Sequence, residues 1–449
     1  MDRRPVTRAP RVAVVGAGLA GLAAGVELQR QGARVTLIER SRLLGGKATS
    51  FMVDGVEVDN GQHVVLRCCT EFLDFVATLG ITDSLRFQRR FEVTVLARGS
   101  GPARLSAAPL PAPLHLAVAF ARYRHLGLAD KFHVGRALVA ARARVPEGLD
   151  MGTWLRRHKQ SAAARRSFWD PFLVPSLNAP LDEVAANDAL FVIRTAFLGN
   201  RDAACIGYST TPLARMAERA ATHVESVRLR TAVRGLHVAN GRVHALQVDG
   251  GETVECDACV LAVPPRRLAA ILGTPEDYGV TGLGAFRIAP IVDVHLWYDS
   301  SPRRLDFAAL LDSPVQWVFE KGRGYLCCSL SAAGDLVSRP ENELIGICDT
   351  ELRAVIPELR SATLLRGAAT RDPEATFVPA PGLRRPGAAT SIANLAIAGA
   401  WTDTGWPATL ESAVRSGRTA ATHVRAALAA RQPASAVVSG ADREVAHAV

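Results

Sequence analysis

Three glycines and an acid are the first residues of this chain whose types and spacing could do chemistry. Gly16, Gly18 and Gly21 form GxGxxG directly after the apolar run 12–15, and Glu39 closes a second apolar run at 35–38. Residues 19–31 carry apolar side chains at helical spacing, and Gly32 ends that pattern. In a strand–turn–helix–strand unit of this kind Gly16 makes the tight turn and Gly18 lets backbone approach a pyrophosphate. Gly21 brings the helix against the strand, so that the amides around Leu19 and Ala20 face the anion. Glu39, followed by Arg40, stands where a carboxylate accepts the ribose hydroxyls of an adenosine. A lone GxGxxG says little. Strand, glycines, helix, strand and acid in register indicate a bound dinucleotide.

Two further stretches concentrate side chains that could face a ligand. "VDNGQHVVL", at 58–66, brings Asp59, Asn60, Gly61, Gln62 and His63 together after a strand-like hairpin that turns at Asp54 and Gly55. His63 reads equally as a satisfied structural histidine and as an acid–base group with Asp59 beside it. "AGAWTDTGWPATLESAVRSG", at 398–417, sets Trp401, Gly405, Trp406 and Pro407 ahead of a helix-like run. Ordinary turn chemistry asks for glycine, proline, Asn and Asp, not for two large aromatics.

The elements that must position these residues belong to a large chain. At 449 residues it exceeds one simple core and fits two or three domains. The net charge of +10 admits an anionic partner, but the arginine excess is spread along the sequence. No helix-turn-helix, zinc finger or RNP-like motif accompanies it, which argues against nucleic acid. Cys256 and Cys259 form a lone CxxC inside a strand-like run and read as thiols in or beside a strand; no metal site is expected. With no signal peptide ahead of the first strand, the eight cysteines fit a reduced, cytoplasmic protein. No apolar run is long enough to span a bilayer. Residues 107–132, with Arg122, Arg124 and His125 breaking the apolar run, suit an amphipathic helix on a membrane surface and a core helix alike.

Helical patterns dominate 70–207. A β-meander then covers 227–265, with turns at Asn240–Gly241 and at Gly250 and Gly251, and ends in "LAVPP". Strand-like runs and a helix fill 269–382, and "NLAIAGAW" is a last apolar strand before the C-terminal helix. The order implies interleaved α/β domains: 10–69, 208–268 and 383–431 for the nucleotide, 70–207 and 269–382 for a mixed α+β substrate domain. Residues 432–449 read as a mobile tail, as do the first ten residues.

"RSRLLGGKATSF", at 40–51, resembles the second cofactor contact of the flavin amine oxidase and phytoene desaturase superfamily, with Gly45, Gly46 and Lys47 where that pattern is usually GGR. The resemblance implies a GR2-type flavin amine oxidase fold, a Rossmann-like domain holding FAD, with Lys47 reaching the pyrophosphate and flavin. It further implies that Gln62 and His63 lie against the flavin, that backbone at Val233 meets the adenine and that Ala262 closes the nucleotide site. Gly399, with Ala400 after it, would end a strand beside the nucleotide, and 402–406 would pass along the flavin. Pro407, Ala408 and Thr409 would start a helix whose amides face the ring, and Trp401 and Trp406 would wall the substrate pocket. Ala400 departs from the aspartate usual there, and no cysteine in 398–417 offers a covalent link, so the FAD is expected to be non-covalent.

"VDNGQHVVL", "SFWDPFLVPSLNAPLDEVAANDALFVIRTAFL" and the 398–417 phrase together resemble the squalene-associated, FAD-dependent branch, the hydroxysqualene dehydroxylases. This resemblance covers about 12–427. It implies reduction of hydroxysqualene to squalene, a long isoprenoid substrate, and an external electron donor that the sequence does not name. His63 and Asp59 become the candidate proton donor and its orienter. A lipid-dissolved substrate also tips 107–132 toward a peripheral contact with the inner face of the cell membrane. The rival readings are a carotenoid or phytoene desaturase, a flavin amine oxidase and a non-catalytic flavin-binding partner.

Overall fold

Val12 and Val14 point to one side of a parallel sheet and Ala13 and Val15 to the other, and all four are buried. Such two-sided burial is what a sheet covered on both faces requires. The computed structural model describes residues 8–303 and 305–430. The expected tail at 432–449 and most of the basic N-terminal segment lie outside the described residues. The sheet has five strands in the order Ser226–Arg228, Arg34–Ile38, Arg11–Val15, Ala258–Leu261 and Leu395–Ile397, all parallel. Its two halves come from distant parts of the chain.

The helix Leu19–Arg30 covers one face and is itself covered by the C-terminal helix Leu410–Ala429. A Cβ at Gly417 would overlap the carbonyl oxygen of Ala20, so these helices meet backbone to backbone. Glu411, fully buried, accepts from the amides of Glu71 (3.1 Å) and Phe72 (2.8 Å) at the start of the helix Thr70–Thr78, and pairs with Arg415 at 2.7 Å.

A three-stranded meander, Val233–Ala239, Arg242–Val248 and Thr253–Glu255, covers the other face. Asn240 and Gly241 turn its first hairpin with φ of 52° and 68°, as the sequence predicts. The meander is shorter than that prediction. Ser226–Arg228 and Ala258–Leu261 leave it to pair with strands from the N-terminus, partners that local alternation cannot reveal. Cys256 and Cys259 are buried free thiols at that boundary, and burial pushes both pKa values up. Among the described residues no cluster of His, Cys, Asp or Glu is placed to hold a metal.

The other large element is a seven-stranded sheet in the order Leu364–Phe377, Ile288–Tyr298, Tyr325–Leu330, Trp317–Glu320, Phe307–Leu310, Glu92–Ala97 and Ser100–Ser106. One face packs Val292, Val294, Leu296 and Leu326 against Leu344, Cys348 and Leu352 of the helix Glu341–Val355. The opposite face looks toward helices between 114 and 198. Residues 107–132 do not form one long helix: a 3-10 turn Leu114–Leu116 leads into Ala117–Arg122, and a separate helix spans Leu128–Ala140. Among the described residues no helix is long and apolar enough to cross a membrane.

The backbone contact between the two helices of the nucleotide layer sets a test. Gly417→Ala should cost about 1–3 kcal/mol in urea unfolding, because the added methyl has backbone rather than a pliable side chain in front of it. Gly135→Ala, where a Cβ would meet nothing within 4 Å, should instead stabilise by about 0.5–1 kcal/mol through helix propensity.

Candidate active site

The C-terminal edge of an open parallel sheet is where its ligand crevice forms, and the glycine segments converge there. Gly16 has φ 97°, and a Cβ on it would overlap the carbonyl oxygen of Ala262. One on Gly21 would overlap the carbonyl oxygen of Gly16. Strand end, turn and helix are thus in backbone contact, and Ala262 N–H donates to Val15 O at 2.8 Å. Gly45 N–H donates to Ala17 O at 2.8 Å, and a Cβ on Gly46 would stand 3.0 Å from the Cα of Gly18. Gly18 itself has no protein atom within 4 Å where a Cβ would go. Two glycine turns therefore make a cradle whose open side is the Gly18 backbone, at the N-terminus of the Leu19–Arg30 helix.

Glu39 stands at one end of this cradle. Its carboxylate accepts from Ala17 N–H (2.8 Å) and Ser41 N–H (2.7 Å), while its carbonyl takes Thr231 N–H at 2.9 Å. That last bond brings the strand beginning at Val233 alongside Glu39; Arg40 is exposed. Lys47 departs from expectation. Its ammonium pairs with Asp372 at 2.9 Å and bonds Glu374 O, which ties the second glycine turn to the seven-stranded sheet instead of turning to the pyrophosphate position. A point charge on a flexible stem takes the nearest carboxylate.

At the other end, Ala398 N–H donates to Leu261 O at 3.0 Å, and Gly399 follows with φ 151°. The amides of Ala400, Ala408 and Thr409 have no acceptor among the described residues. Thr409 caps the C-terminal helix by accepting from Ser412 N–H at 3.2 Å, so that helix begins at Leu410, just after the expected Pro407–Thr409 start. Trp406 is partly buried, edge-on to Phe191 at 5.1 Å, with Arg415 over its ring. Trp401 does not wall a pocket. It is 6% exposed, donates its ring N–H to Val263 O at 3.0 Å and packs on Phe286, so it is core. Free backbone amides at one end, an open glycine turn in the middle and an acid at the far end fit an extended dinucleotide.

The 59–63 turn rests on the inner face of the seven-stranded sheet. Residues opposite one another across strands share a face, which puts Thr370, Asp293, Ser329 and Trp317 in one row and His295, Cys327, Phe319 and Phe307 in the next. Asp293 is 3% exposed and lies directly beneath Gly61, where a Cβ would come within 2.7 Å of its Oδ2. It accepts weakly from Gln62 N–H at 3.4 Å, and burial raises its pKa to about 6. His295 is buried, hydrogen-bonded through Nδ1 to the Tyr325 hydroxyl at 2.7 Å, and burial lowers its pKa to about 4. Tyr325 stacks on Trp297 at 4.7 Å.

Of the two expected catalytic residues, Asp59 is committed elsewhere. Its Oδ1 accepts from Ser50 Oγ–H (2.7 Å) and Leu213 N–H (2.9 Å), and its Oδ2 faces Lys321 at 3.8 Å. It anchors the hairpin to the segment leading into the helix Ala214–Ala221, and no bond joins it to His63. His63 is partly buried. Its Nδ1–H donates to Gly61 O at 3.2 Å, which leaves Nε2 for other work, and burial lowers its pKa. Lys321 donates to Gln62 Oε1 at 2.8 Å. Asp293, His295, Lys321 and Tyr325 were missed from sequence, although "DVHLW" at 293–297 places Asp, His and Trp at alternate positions, one face of a strand.

Residues 19–425 match the family described as flavin containing amine oxidoreductase. A hydroxysqualene dehydroxylase from Rhodopseudomonas palustris is 30% identical, over 93% of this chain and 98% of that protein. A 15-cis-phytoene desaturase from Arabidopsis thaliana is 24% identical, over 91% of this chain and 78% of that protein. The solved cyclohexylamine oxidase from Brevibacterium oxydans superposes with a TM-score of 0.69 at 17% identity, over 94% of this chain and all of that one, and so shares its fold.

Asp293 gives a prediction with a definite sign. Its folded pKa, about 6, lies above the ordinary 3.8, so the folded state holds a proton that the unfolded chain releases. Stability is then greatest below the unfolded value and falls as pH rises toward 6. Asp293→Asn should flatten that fall and raise stability at pH 7–8 by roughly 1–3 kcal/mol, read from denaturation across pH. An unchanged pH profile would refute the assignment.

Proposed function

The chain belongs to the flavin containing amine oxidoreductases, and within that family we propose that it is an FAD-dependent reductase converting hydroxysqualene to squalene. It is a flavin-dependent oxidoreductase with a hydrophobic isoprenoid substrate; the reductive direction and the particular alcohol are the proposal. The observation that carries it is the inner face of the seven-stranded sheet. One end is aromatic, with Phe307, Trp317 and Phe319; the other is polar, with Ser329, Asp293, Thr370 and His295. A long hydrocarbon bearing a single hydroxyl needs such a surface. A phytoene desaturase is the second reading, favoured by the plant relative, but its hydrocarbon substrate gives the polar end no partner.

FAD would be held without a covalent bond. Glu39 and the Val233 strand take the adenosine end, Gly16–Gly21 with Gly45 and Gly46 the pyrophosphate, and the amides of Ala400, Ala408 and Thr409 the far end. Residues 10–69, 208–268 and 383–431 form the cofactor domain in this reading, and 70–207 with 269–382 the substrate domain. When bound and reduced by an external donor, FAD supplies hydride. The chain supplies the rest. His63 in its protonated form gives a proton through Nε2 to the allylic oxygen, which leaves as water while carbon gains the hydride. Trp406 presents a π face to the positive carbon, and the aromatic end of the sheet covers the hydrocarbon chain and keeps water out.

The substrate must be collected from lipid. Leu128, Phe132 and Val139 stand on one side of the helix Leu128–Ala140 and are 85%, 62% and 72% exposed, beside exposed Leu114 and Val118. Arg122, Arg124 and Arg136 are exposed among them. Partly buried rings, Phe120 to Phe168 (5.5 Å), Phe172 (6.3 Å) and Trp317 (6.3 Å), lead inward from this patch. We assign it to a peripheral contact with the cytoplasmic face of the membrane.

Pre-reduced protein incubated with hydroxysqualene without oxygen should form squalene as the flavin reoxidises. Turnover of phytoene or an amine, with none of hydroxysqualene, would overturn the proposal. Because the acid is His63 with a pKa below 6.5, the rate should fall as pH rises through that pKa. His63→Gln should slow the reaction by roughly 10²–10⁴ and lose that limb. Separately, Leu128→Ser/Phe132→Ser/Val139→Ser should cut co-sedimentation with anionic vesicles by roughly tenfold or more, with melting temperature and flavin content unchanged.

A further inference from the structure

The turn that follows the last strand of the parallel sheet is held from within by one side chain. Arg385 Nε donates to Trp401 O at 3.3 Å and its Nη1 to Trp406 O at 2.6 Å. Its Nη2 donates to Ala400 O and Thr404 Oγ1, both at 3.2 Å, and to the carbonyl of Thr402. Three successive carbonyls, 400 to 402, therefore converge on a single guanidinium. All three nitrogens are used, and every acceptor is neutral.

No carboxylate lies within ion-pair distance of Arg385 among the described residues. Asp188 and Asp403 act on it only through space, the Phe377 ring lies 5.4 Å away, and burial works against its charge. An arginine nevertheless stays protonated in a protein. The positive charge is thus held in direct contact by carbonyl dipoles, with Asp188 and Asp403 near it but outside ion-pair contact. With their carbonyls turned toward Arg385, Ala400 and Trp401 keep amides that have no acceptor in the described chain. Ser412 Oγ, which donates to Ala400 O at 3.1 Å and shares a 2.7 Å bond with Thr404 Oγ1, fixes the same turn from the helix side.

We propose that Arg385 is a positioning residue of the cofactor site. Its guanidinium turns the 400–402 carbonyls inward, presents the amides of the same turn to the flavin, and brings a fixed positive charge that favours the reduced, anionic flavin. This rests on the reductive reading above, in which the enzyme must keep its flavin reduced until the alcohol arrives. It also accounts for Ala400: the turn is organised by a cation behind it, so a carboxylate at 400 is not needed to shape it.

The test uses the full chain reconstituted with FAD and no substrate, and reads the flavin midpoint potential and the FAD dissociation constant. Arg385→Gln should shift the potential to more negative values and weaken FAD binding by roughly tenfold or more. Arg385→Lys keeps the charge but loses the fork, so the potential should stay near wild type while FAD binding weakens by about tenfold. Asp188→Asn, which removes a nearby negative charge without touching the turn, should move the potential the other way. A potential unmoved by both Arg385→Gln and Asp188→Asn overturns the proposal. If Arg385→Gln does not fold, an unmoved Asp188→Asn potential overturns it alone. Because no substrate enters, a wild-type enzyme that makes no squalene would sink the proposed reaction and leave this result standing.

Discussion

Everything in this molecule depends on backbone meeting backbone at the C-terminal edge of the parallel sheet. Side chains at Gly16 or Gly21 would collide with carbonyl oxygens of Ala262 or of Gly16, and one at Gly417 with that of Ala20. These contacts bring three stretches of chain, from the beginning, the middle and the end of the sequence, into one layer. The Leu19–Arg30 helix is pressed between the sheet and the C-terminal helix with no room for a larger residue at either contact. Close approach here is what aligns the glycine turn with the Gly399–Thr409 segment, and without that alignment no extended dinucleotide could bind along both.

The second sheet solves a different problem. Its two faces have opposite duties, and the strand period of two separates them. Along Ile288–Tyr298, Val292, Val294 and Leu296 build the core under the helix Glu341–Val355, while Asp293, His295 and Trp297 face the other way. A one-residue slip would put the carboxylate and imidazole into the core and the valines onto the inner face. The long register with Leu364–Phe377 and Tyr325–Leu330 prevents it. Stability and chemistry are thereby written on alternate residues of one strand.

Sequence reasoning found what local pattern encodes. The GxGxxG unit, Glu39, the Asn240–Gly241 hairpin and the C-terminal helix each carry their signal within a few residues, and the structure forms all of them. It failed where partners are distant. Ser226–Arg228 looked like part of the meander because its neighbour in the sheet lies far back in the chain. Lys47 was assigned to a phosphate because Asp372 could not be seen beside it, and Trp401 to a pocket because Val263 and Phe286 could not be seen around it. Arg385 gave no signal, since one arginine in "LRRP" resembles any other until the turn folds over it. Asp293 and His295 were visible in principle, as polar residues at alternate positions of an otherwise apolar strand.

The same fold serves amine oxidation in the cyclohexylamine oxidase, so the direction of chemistry must come from how charge is arranged around the flavin. An amine substrate arrives as a cation and is favoured by carboxylates near the ring. The inner face of the seven-stranded sheet offers one buried carboxylate, Asp293. Burial keeps His295 uncharged and makes Asp293 far easier to protonate than an exposed carboxylate, while Asp59 faces Lys321. Arg385, with no carboxylate within ion-pair distance among the described residues, lies behind the turn proposed to flank the cofactor. A single buried carboxylate that takes up a proton readily, beside a neutral imidazole, suits an uncharged substrate better than an ammonium ion. That arrangement would suit the proposed reduction of a hydrocarbon alcohol, in which positive charge arises only as the hydroxyl departs.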